Sequence, residues 1–187
     1  MNGVTGIVLA GGQGRRMGGV DKGLQLLHGK PMIAAVLARL APQVDEILIN
    51  ANQNLEIYSG FGYRLVPDAI GDFAGPLAGL HAGLGAARTE LVLTVPCDSP
   101  FLPLDLLVRL LRNLEGKDLA VARTGDQPHP VFALVRTAVR KNLESFLAGG
   151  GRKIDAWYAT LEVVEVRFDD EAAAFRNINT REELGQA

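Results

Sequence analysis

Short apolar runs alternate with helical patterns along almost the whole chain of 187 residues. Strands are predicted at 6–10, 46–50, 64–67, 91–95, 119–123, 131–135 and 161–167. Helices are predicted at 31–40, 76–88, 103–113 and 138–148, with a short last helix starting at Thr180. This alternation is typical of one α/β domain in three layers, a mostly parallel sheet with helices on both faces. Ligands of such sheets bind at the carboxyl ends of the strands.

Charge and cysteine content limit the classes of function. Lys and Arg number 19 against 21 Asp and Glu, a net charge of −2, which argues against general nucleic-acid binding. The single cysteine, Cys97, excludes an internal disulfide and a paired-cysteine metal site, and it fits a reducing cytosol. No apolar run reaches the ~18 residues of a membrane-spanning helix, and residues 1–12 lack the positive charge of a signal peptide. We therefore expect residues 1–187 to form one cytoplasmic domain that binds neither nucleic acid nor a membrane.

A glycine-rich segment follows the first predicted strand. Residues 9–22 are Leu-Ala-Gly-Gly-Gln-Gly-Arg-Arg-Met-Gly-Gly-Val-Asp-Lys. Glycines let successive backbone N–H groups point at an anion, and this stretch also concentrates positive side chains. A solvated surface loop is the alternative, but the position after a first strand favours phosphate binding. The dinucleotide fingerprint is excluded because position 17 is Met, and the Walker loop because neither Lys22 nor Lys30 stands in Gly-Lys-Ser/Thr.

A carboxylate follows the most apolar predicted strand. Asp98 stands in Pro-Cys-Asp-Ser-Pro at 96–100. Mg²⁺ takes one or two carboxylates and completes its shell with water and substrate phosphates. An Asp that starts a turn before Pro100 is the alternative, but the glycine-rich segment favours Asp98 as a metal ligand. Cys97 is expected to be a buried apolar residue and not a nucleophile, because the sequence indicates no histidine partner.

Polar residues and glycines follow other predicted strands. Asn50 ends one predicted strand, and Asp68 comes directly after another. The helix that starts at 76 contains Gly79, Gly83 and Gly85, each of which costs about 1 kcal/mol relative to Ala. A close approach of the helix backbone to the sheet or to a ligand explains this. For Gly83 and Gly85, helix–sheet packing alone is an equally good explanation.

A pair of amides lies near the carboxyl terminus. Asn177 and Asn179 flank Ile178, so in an extended segment their side chains point the same way and suit one ligand. Thr180 and Glu183 have the spacing of a capping box, which predicts a helix start there.

Imidazole and large aromatic side chains give weaker signals. His28, His81 and His129 have no partner at metal-ligand spacing, so surface or packing roles are expected. Trp157 and Tyr158 are candidates for stacking on a bound ring, but core packing is the favoured interpretation.

Taken in order, these strings resemble a known family. Leu-Ala-Gly-Gly-x-Gly-x-Arg-Met with a downstream lysine looks like the Rossmann-like nucleotidyltransferases of the glycosyltransferase-A type. The longer stretch through Asp21, Lys22 and Gly23, then Gly-Lys-Pro at 29–31, resembles the molybdenum cofactor guanylyltransferases, which join GMP from GTP to molybdopterin. Residues 75–79, 96–100 and 177–180 agree with that family, so the resemblance covers nearly the whole chain.

The resemblance implies roles for individual residues. Lys22, Asp98 and Arg16 would carry catalysis, with Mg²⁺ held by Asp98. The GTP site would comprise Leu9, Ala10, Gly11, Gly12, Gly14, Arg15, Lys22, Asn50, Asp68 and Asp98. The molybdopterin site would include Asn177 and Asn179. The phosphate of molybdopterin is largely a dianion at neutral pH, so it needs no general base, and positioning and charge neutralisation should dominate.

The resemblance also implies partners and leaves alternatives open. The expected partners are GTP and molybdopterin, with transient contacts to molybdenum-inserting or cofactor-accepting proteins. A cytidylyltransferase of the same cofactor tends to carry Leu-Ala-Ala-Gly and to lack Pro-Leu-Ala-Gly, whereas this chain has Leu-Ala-Gly-Gly at 9–12 and Pro-Leu-Ala-Gly at 76–79. A sugar-phosphate nucleotidyltransferase would share the first motif but not the Asn-x-Asn string. A regulatory nucleotide-binding module without chemistry is disfavoured by the presence of both Lys22 and Asp98.

Overall fold

The computed structural model contains a strand at each of the seven predicted places. The structure describes residues 3–11, 21–70 and 75–178, so the predicted helix from Thr180 to Leu184 lies outside the described residues. The strands are β1 Val4–Leu9, β2 Leu26–Leu27, β3 Lys30–Pro31, β4 Glu46–Asn50, β5 Arg64–Leu65, β6 Leu91–Pro96, β7 Leu119–Thr124, β8 Gln127–Arg136 and β9 Val163–Arg167. The α-helices are α1 Met32–Leu40, α2 Leu55–Ser59, α3 Pro76–Ala86, α4 Leu106–Asn113, α5 Arg140–Ala148 and α6 Ile154–Tyr158.

Seven of these strands form one sheet in the order β5-β4-β1-β6-β8-β7-β9. Neighbours pair in parallel, except that β8 runs antiparallel to both β6 and β7. The prediction of a mostly parallel sheet is therefore confirmed. The strand predicted at 131–135 is the second half of the longer β8, which the short connection after β7 turns back along its neighbour.

Helices cover both faces of the sheet, as predicted. Alternate residues of β1 point to opposite faces: Val4 and Val8 join a core with α1 and α4, whereas Ile7 joins a core with α3, α5 and α6. Helix α1 begins directly after Pro31, a residue suited to a helix start. Its buried residues are Met32, Ile33, Val36, Leu37 and Leu40, which is the spacing of one apolar stripe.

Several boundaries and two small helices differ from the predictions. The helix predicted from 103 begins at Leu106, and that predicted from 138 begins at Arg140, after a single 3₁₀ turn. Helices α2 and α6 were not predicted, because five residues are too few to show a helical period. No helix within the described ranges is both long and apolar enough to cross a bilayer.

The pairing of β7 with β8 contains a bulge that shapes one edge of the sheet. Val121 lies opposite Ala133, but the next residue, Ala122, lies opposite His129. Residues 130–132 therefore have no partner in the ladder and form a bulge in β8. Such bulges often lie beside active sites, where they redirect side chains.

Candidate active site

Three predicted site segments meet at the carboxyl edge of the sheet. Leu9, the last residue of β1, lies opposite Asn50 of β4 on one side and Pro96 of β6 on the other. The N–H of Ala10 donates to the carbonyl of Asn50 at 2.8 Å, and that of Cys97 donates to the carbonyl of Leu9 at 3.2 Å. The pairing thus aligns the chain directly before the glycine-rich segment with the turn that carries Asp98.

An amide–carboxylate cluster occupies the β4 side of this edge. Asn50 is 2% exposed, and its Nδ2 donates to the carbonyl of Val66 at 3.0 Å and to Oδ1 of Asp68 at 2.8 Å. Asn52 donates from Nδ2 to Oδ2 of Asp68 at 2.8 Å and accepts the N–H of Asp68 at the same distance. These bonds hold the Asp68 carboxylate as an acceptor for N–H or O–H donors of a ligand. Asn52 is not among the predicted site residues, although it stands two residues after Asn50 and just past the strand.

Two positions next to this cluster have no room for a side chain and are occupied by glycine. A Cβ atom on Gly11 would lie 2.8 Å from Nδ2 of Asn52 and 2.9 Å from Oδ1 of Asn50. A Cβ atom on Gly79 would overlap Oδ1 of Asn50 and lie 2.9 Å from Cδ2 of Leu9. Helix α3 therefore approaches the site closely at Gly79. Gly83 packs against Ile7 and not against the site.

A lysine and an aspartate form an ion pair beyond the end of β6. Nζ of Lys22 lies 3.2 Å from Oδ2 of Asp98, and the two side chains are 26% and 11% exposed. Within the described ranges, no group of three or more His, Cys, Asp or Glu side chains could hold a metal ion. One carboxylate at this position still fits Mg²⁺, because water and substrate phosphates supply the rest of its shell.

A buried hydrogen-bond network holds the residue before Lys22. The Tyr58 hydroxyl donates to Oδ1 of Asp21 at 2.6 Å, and Nδ2 of Asn54 donates to Oδ2 at 3.0 Å. Burial, together with the bond to Asp21, raises the pKa of Tyr58, so the phenol remains a donor. A Cβ atom on Gly23 would lie 2.8 Å from the Tyr58 hydroxyl. This network was not predicted, because Tyr58 lies on α2, a helix too short to show a helical period.

Asn177 and Ile178, the last described residues, contact the turn after β6 that carries Asp98. Oγ of Ser99 donates to Oδ1 of Asn177 at 2.5 Å, and the N–H of Ile178 donates to the carbonyl of Asp98 at 2.9 Å. Ile178 is 1% exposed and packs with Leu27 and Met32. Asn177 is therefore next to the Asp98 turn.

Some predicted site residues lie outside the described residues. These are Gly12, Gly14, Arg15, Arg16 and Asn179. The structure brings together the remaining ones: Leu9, Ala10, Gly11, Lys22, Asn50, Asp68, Asp98 and Asn177.

Cys97 has the buried, apolar character that the sequence predicts. It is 8% exposed and packs in the core. Burial, followed by the neighbouring carboxylate of Asp98, raises the pKa of this thiol. Because the thiolate is the nucleophilic form, Cys97 is inert near neutral pH.

The mostly parallel seven-stranded sheet with helices on both faces is the fold of the α/β nucleotidyltransferases. Residues 6–163 match the family model described as the MobA-like NTP transferase domain. The chain belongs to that family.

Known proteins agree with this assignment over nearly the full length of the chain. A protein of Cupriavidus necator named molybdenum cofactor guanylyltransferase is 52% identical, over 97% of this chain and 94% of its own length. The crystal structure of molybdopterin-guanine dinucleotide biosynthesis protein A from Archaeoglobus fulgidus has a TM-score of 0.80 at 28% identity, covering 97% of this chain and 95% of its own. The 4-diphosphocytidyl-2C-methyl-D-erythritol synthase of Anaerococcus prevotii shares the fold, with a TM-score of 0.76 at 15% identity, covering 100% of this chain and 96% of its own.

Proposed function

We propose that this protein transfers GMP from GTP to the terminal phosphate of molybdopterin. An oxygen of that phosphate attacks the α-phosphorus of GTP, the bond from the α-phosphorus to the bridging oxygen of the β-phosphate breaks, and pyrophosphate leaves. The observation that carries the proposal is the Lys22–Asp98 pair at 3.2 Å beside the glycine-rich segment. The names of relatives that align along the whole chain supply the substrates.

GTP would lie across the carboxyl edges of β1 and β4. Its triphosphate would meet the backbone N–H groups that follow Leu9. Its guanosine would meet the amide–carboxylate cluster, where the Asp68 carboxylate accepts hydrogen bonds and the guanine amino group donates them. Because Asn50 and Asn52 hold that carboxylate in place, little side-chain ordering is needed when the base binds.

Lys22 and a divalent cation would neutralise the negative charge of the GTP phosphates. The Lys22 ammonium group would transfer its contact from Asp98 to the phosphates, where it opposes the charge that develops on the leaving pyrophosphate. Asp98 would hold Mg²⁺, which supplies Lewis-acid stabilisation of phosphate oxygens when bound. Arg16, together with Arg15, would add positive charge to the same region.

The acceptor would approach from the side of Asn177. Its phosphate is largely dianionic at neutral pH, so attack needs correct placement and not proton removal. The amide of Asn177, held by Ser99, would take part in that placement, and Asn179 would contribute a second amide. We further propose that the reaction takes place in the cytoplasm, with transient contacts to the proteins that insert molybdenum or accept the finished cofactor.

The test is pyrophosphate release from each of GTP, CTP, ATP and UTP, with and without molybdopterin, in the presence and absence of Mg²⁺. We expect release only with GTP, molybdopterin and Mg²⁺ together. A preference for CTP would assign the chain to the cytidylyltransferases. Release with glucose 1-phosphate in place of molybdopterin would assign a sugar-phosphate acceptor, and GTP binding without release would indicate a regulatory module.

A further inference from the structure

Helix α4 carries an exposed apolar stripe on its outer face. Leu104, in the turn that leads into the helix, is 60% exposed, and Val108 and Leu111 are 48% and 45% exposed. Spacings of four and three residues place these side chains in one row, as in the seam between paired helices. The inward face of α4 holds the three buried residues of the helix, so the core of this chain does not use the stripe.

The grouping of these side chains distinguishes the stripe from ordinary surface leucines. Of the six large apolar side chains that are exposed within the described ranges, three form the stripe. Single exposed apolar residues are normal on a soluble protein, whereas a contiguous row indicates a surface that binds another molecule.

Hydrogen bonds on both flanks hold α4 in place. On one flank, Nε2 of Gln43 donates to the carbonyl of Pro103 at 2.9 Å, and the N–H of Leu107 donates to Oε1 of Gln43 at 3.0 Å. On the other flank, Arg109 donates twice to the Asp170 carboxylate, at 2.9 and 2.8 Å. Because the helix is fixed before any partner arrives, little ordering is needed when the stripe is covered.

A charged residue stands beside each end of the stripe. Asp105 lies at the start of α4 and Arg112 lies seven residues later, so the two charges are on the same side of the stripe, about two turns apart. The Asp105 side chain is 51% exposed and contacts Arg109 only at 3.9 Å. Arg112 is exposed, and among the described residues it has no ion-pair partner. Both charges are therefore accessible to a second molecule.

The stripe and its charges are complementary to themselves. When two copies of α4 pack antiparallel about a two-fold axis near Val108, Leu104 of each copy faces the partner's Leu111. Asp105 of each copy then faces the partner's Arg112, and the axis repeats this ion pair. A parallel arrangement would place Asp105 opposite Asp105 and Arg112 opposite Arg112, which is unfavourable. The charges therefore select the antiparallel arrangement.

We propose that this stripe is the interface of an antiparallel, two-fold homodimer, with a second copy of this chain as its occupant. The interface is short, so the dimer is reversible, with a dissociation constant of about 1–100 µM. Because α4 follows the turn that carries Asp98, the two active sites lie at opposite ends of the dimer and both stay open. Turnover per protomer is therefore independent of dimerisation.

Sedimentation velocity of the full chain, at about 1 to 300 µM, measures the dimer across the expected range of dissociation constants. Val108→Glu places two like charges together near the axis, and it should raise the dissociation constant by about a hundredfold or more. The matched control is Ile57→Glu, the same kind of change at a residue of α2 that is 54% exposed. It should dimerise as the wild type does, and initial rates of pyrophosphate release should be equal in all three proteins.

Exchange of the two charges tests the antiparallel arrangement. Asp105→Arg and Arg112→Asp should each raise the dissociation constant about tenfold, because like charges then face each other across the axis. An equal mixture of the two variants should form heterodimers with the affinity of the wild type, since both ion pairs are restored. Asp105 makes no side-chain cap bond to α4, and circular dichroism would verify that each variant is folded.

Three results would overturn the proposal. The first is a wild-type chain that stays monomeric at about 300 µM, above the range expected for a weak interface. The second is unchanged dimerisation of a folded Val108→Glu variant. The third is a mixture of Asp105→Arg and Arg112→Asp that associates no more tightly than either variant alone.

Discussion

Lys22 and Asp98 stand 76 residues apart in the chain, yet Nζ of one lies 3.2 Å from Oδ2 of the other. The pair joins the end of the glycine-rich segment to the turn after β6. Both charges are largely shielded from water, with side-chain exposures of 26% and 11%, so each has a marked effect on the site around it.

Asp98→Asn should abolish metal-dependent turnover while the fold is kept. The amide matches the carboxylate in size but lacks the negative charge that a hard cation requires. We expect kcat to fall by about a hundredfold or more, with no recovery at high Mg²⁺. Asp105→Asn, which changes an exposed carboxylate at the start of α4, is the control. Near wild-type kcat in Asp98→Asn would remove the residue from the metal site.

Lys22→Ala should lower kcat/KM for GTP by about a hundredfold or more, since a fixed cation at the phosphates acts mainly in the transition state. Initial rates at varied GTP would measure this. Lys117→Ala removes a half-exposed lysine that pairs with Glu162 on the surface, and it should leave the rates unchanged. Equal rates for the two variants would contradict the role given to Lys22.

Tyr58→Phe tests the network that holds Asp21. The change deletes the donor that lies 2.6 Å from Oδ1 of Asp21 and keeps the ring in the core. We expect the free energy of unfolding to fall by about 1–3 kcal/mol, as for a buried acceptor left unpaired. We also expect kcat to fall while KM for molybdopterin stays constant, because Lys22 would lose its fixed position. Tyr63→Phe is the matched control, and loss of stability without any change in kcat would reduce the network to a structural role.

Two glycines of α3 should respond oppositely to the same substitution. Gly79→Ala puts a methyl group onto Oδ1 of Asn50, so it should displace the amide–carboxylate cluster and weaken GTP binding. Gly85→Ala would meet only the flexible Arg140 side chain, at 3.0 Å or more. It should stabilise the protein by up to about 1 kcal/mol through helix propensity. Chemical denaturation and GTP titration of both variants would measure these effects, and weaker GTP binding in Gly85→Ala would contradict the distinction.

The free energy of unfolding should depend on pH because His81 is buried. It is 5% exposed, and within the described residues neither ring nitrogen has a hydrogen-bond partner. Burial, followed by the charge of Arg140, lowers the pKa of His81 below its ordinary value of 6.5, and Glu144 opposes this shift. The unfolded chain therefore binds the proton more readily, and the free energy of unfolding should fall as the pH drops below about 6.5.

His81→Leu is the variant that isolates this effect. It should raise the free energy of unfolding by about 1 kcal/mol near neutral pH, because an unsatisfied buried polar group is removed. It should also flatten the loss of stability toward acid. Urea denaturation between pH 5 and pH 8, in both proteins, provides the measurement. A parallel pH dependence in the two proteins would assign the effect to other groups.

The main strands and the edge that carries the site could be predicted from the sequence, since each buried strand is a short apolar run that ends at a polar or glycine residue. Asn50, Asp68 and Asp98 were found because they lie at the end of such runs or within three residues after them. The direction of β8 could not be predicted, because two prolines interrupt its pattern. The bulge has no sequence signal of its own, since it depends on which residues of two strands face each other.

Tyr58 and Asn52 show a second reason why part of the site could not be predicted from the sequence. Tyr58 sits on a five-residue helix without a recognisable period, and its partner Asp21 counts in the sequence only as one charge within a basic stretch. Asn52 acts through its bonds to Asp68, which become visible only when the two loops are placed together. Residues that position others carry weaker sequence patterns than residues that follow strands.

The reversal of β8 divides the carboxyl edge of the sheet into two parts that respond differently to changes in sequence. One part consists of four parallel strands, β5, β4, β1 and β6, whose register is shared through β1, so an alteration there disturbs several segments at once. The other part begins with the hairpin of β7 and β8, at which the chain turns back on itself. Insertions and exchanges in a hairpin leave the parallel register intact. We therefore expect proteins of this fold to differ more in this hairpin than in the four parallel strands beside it.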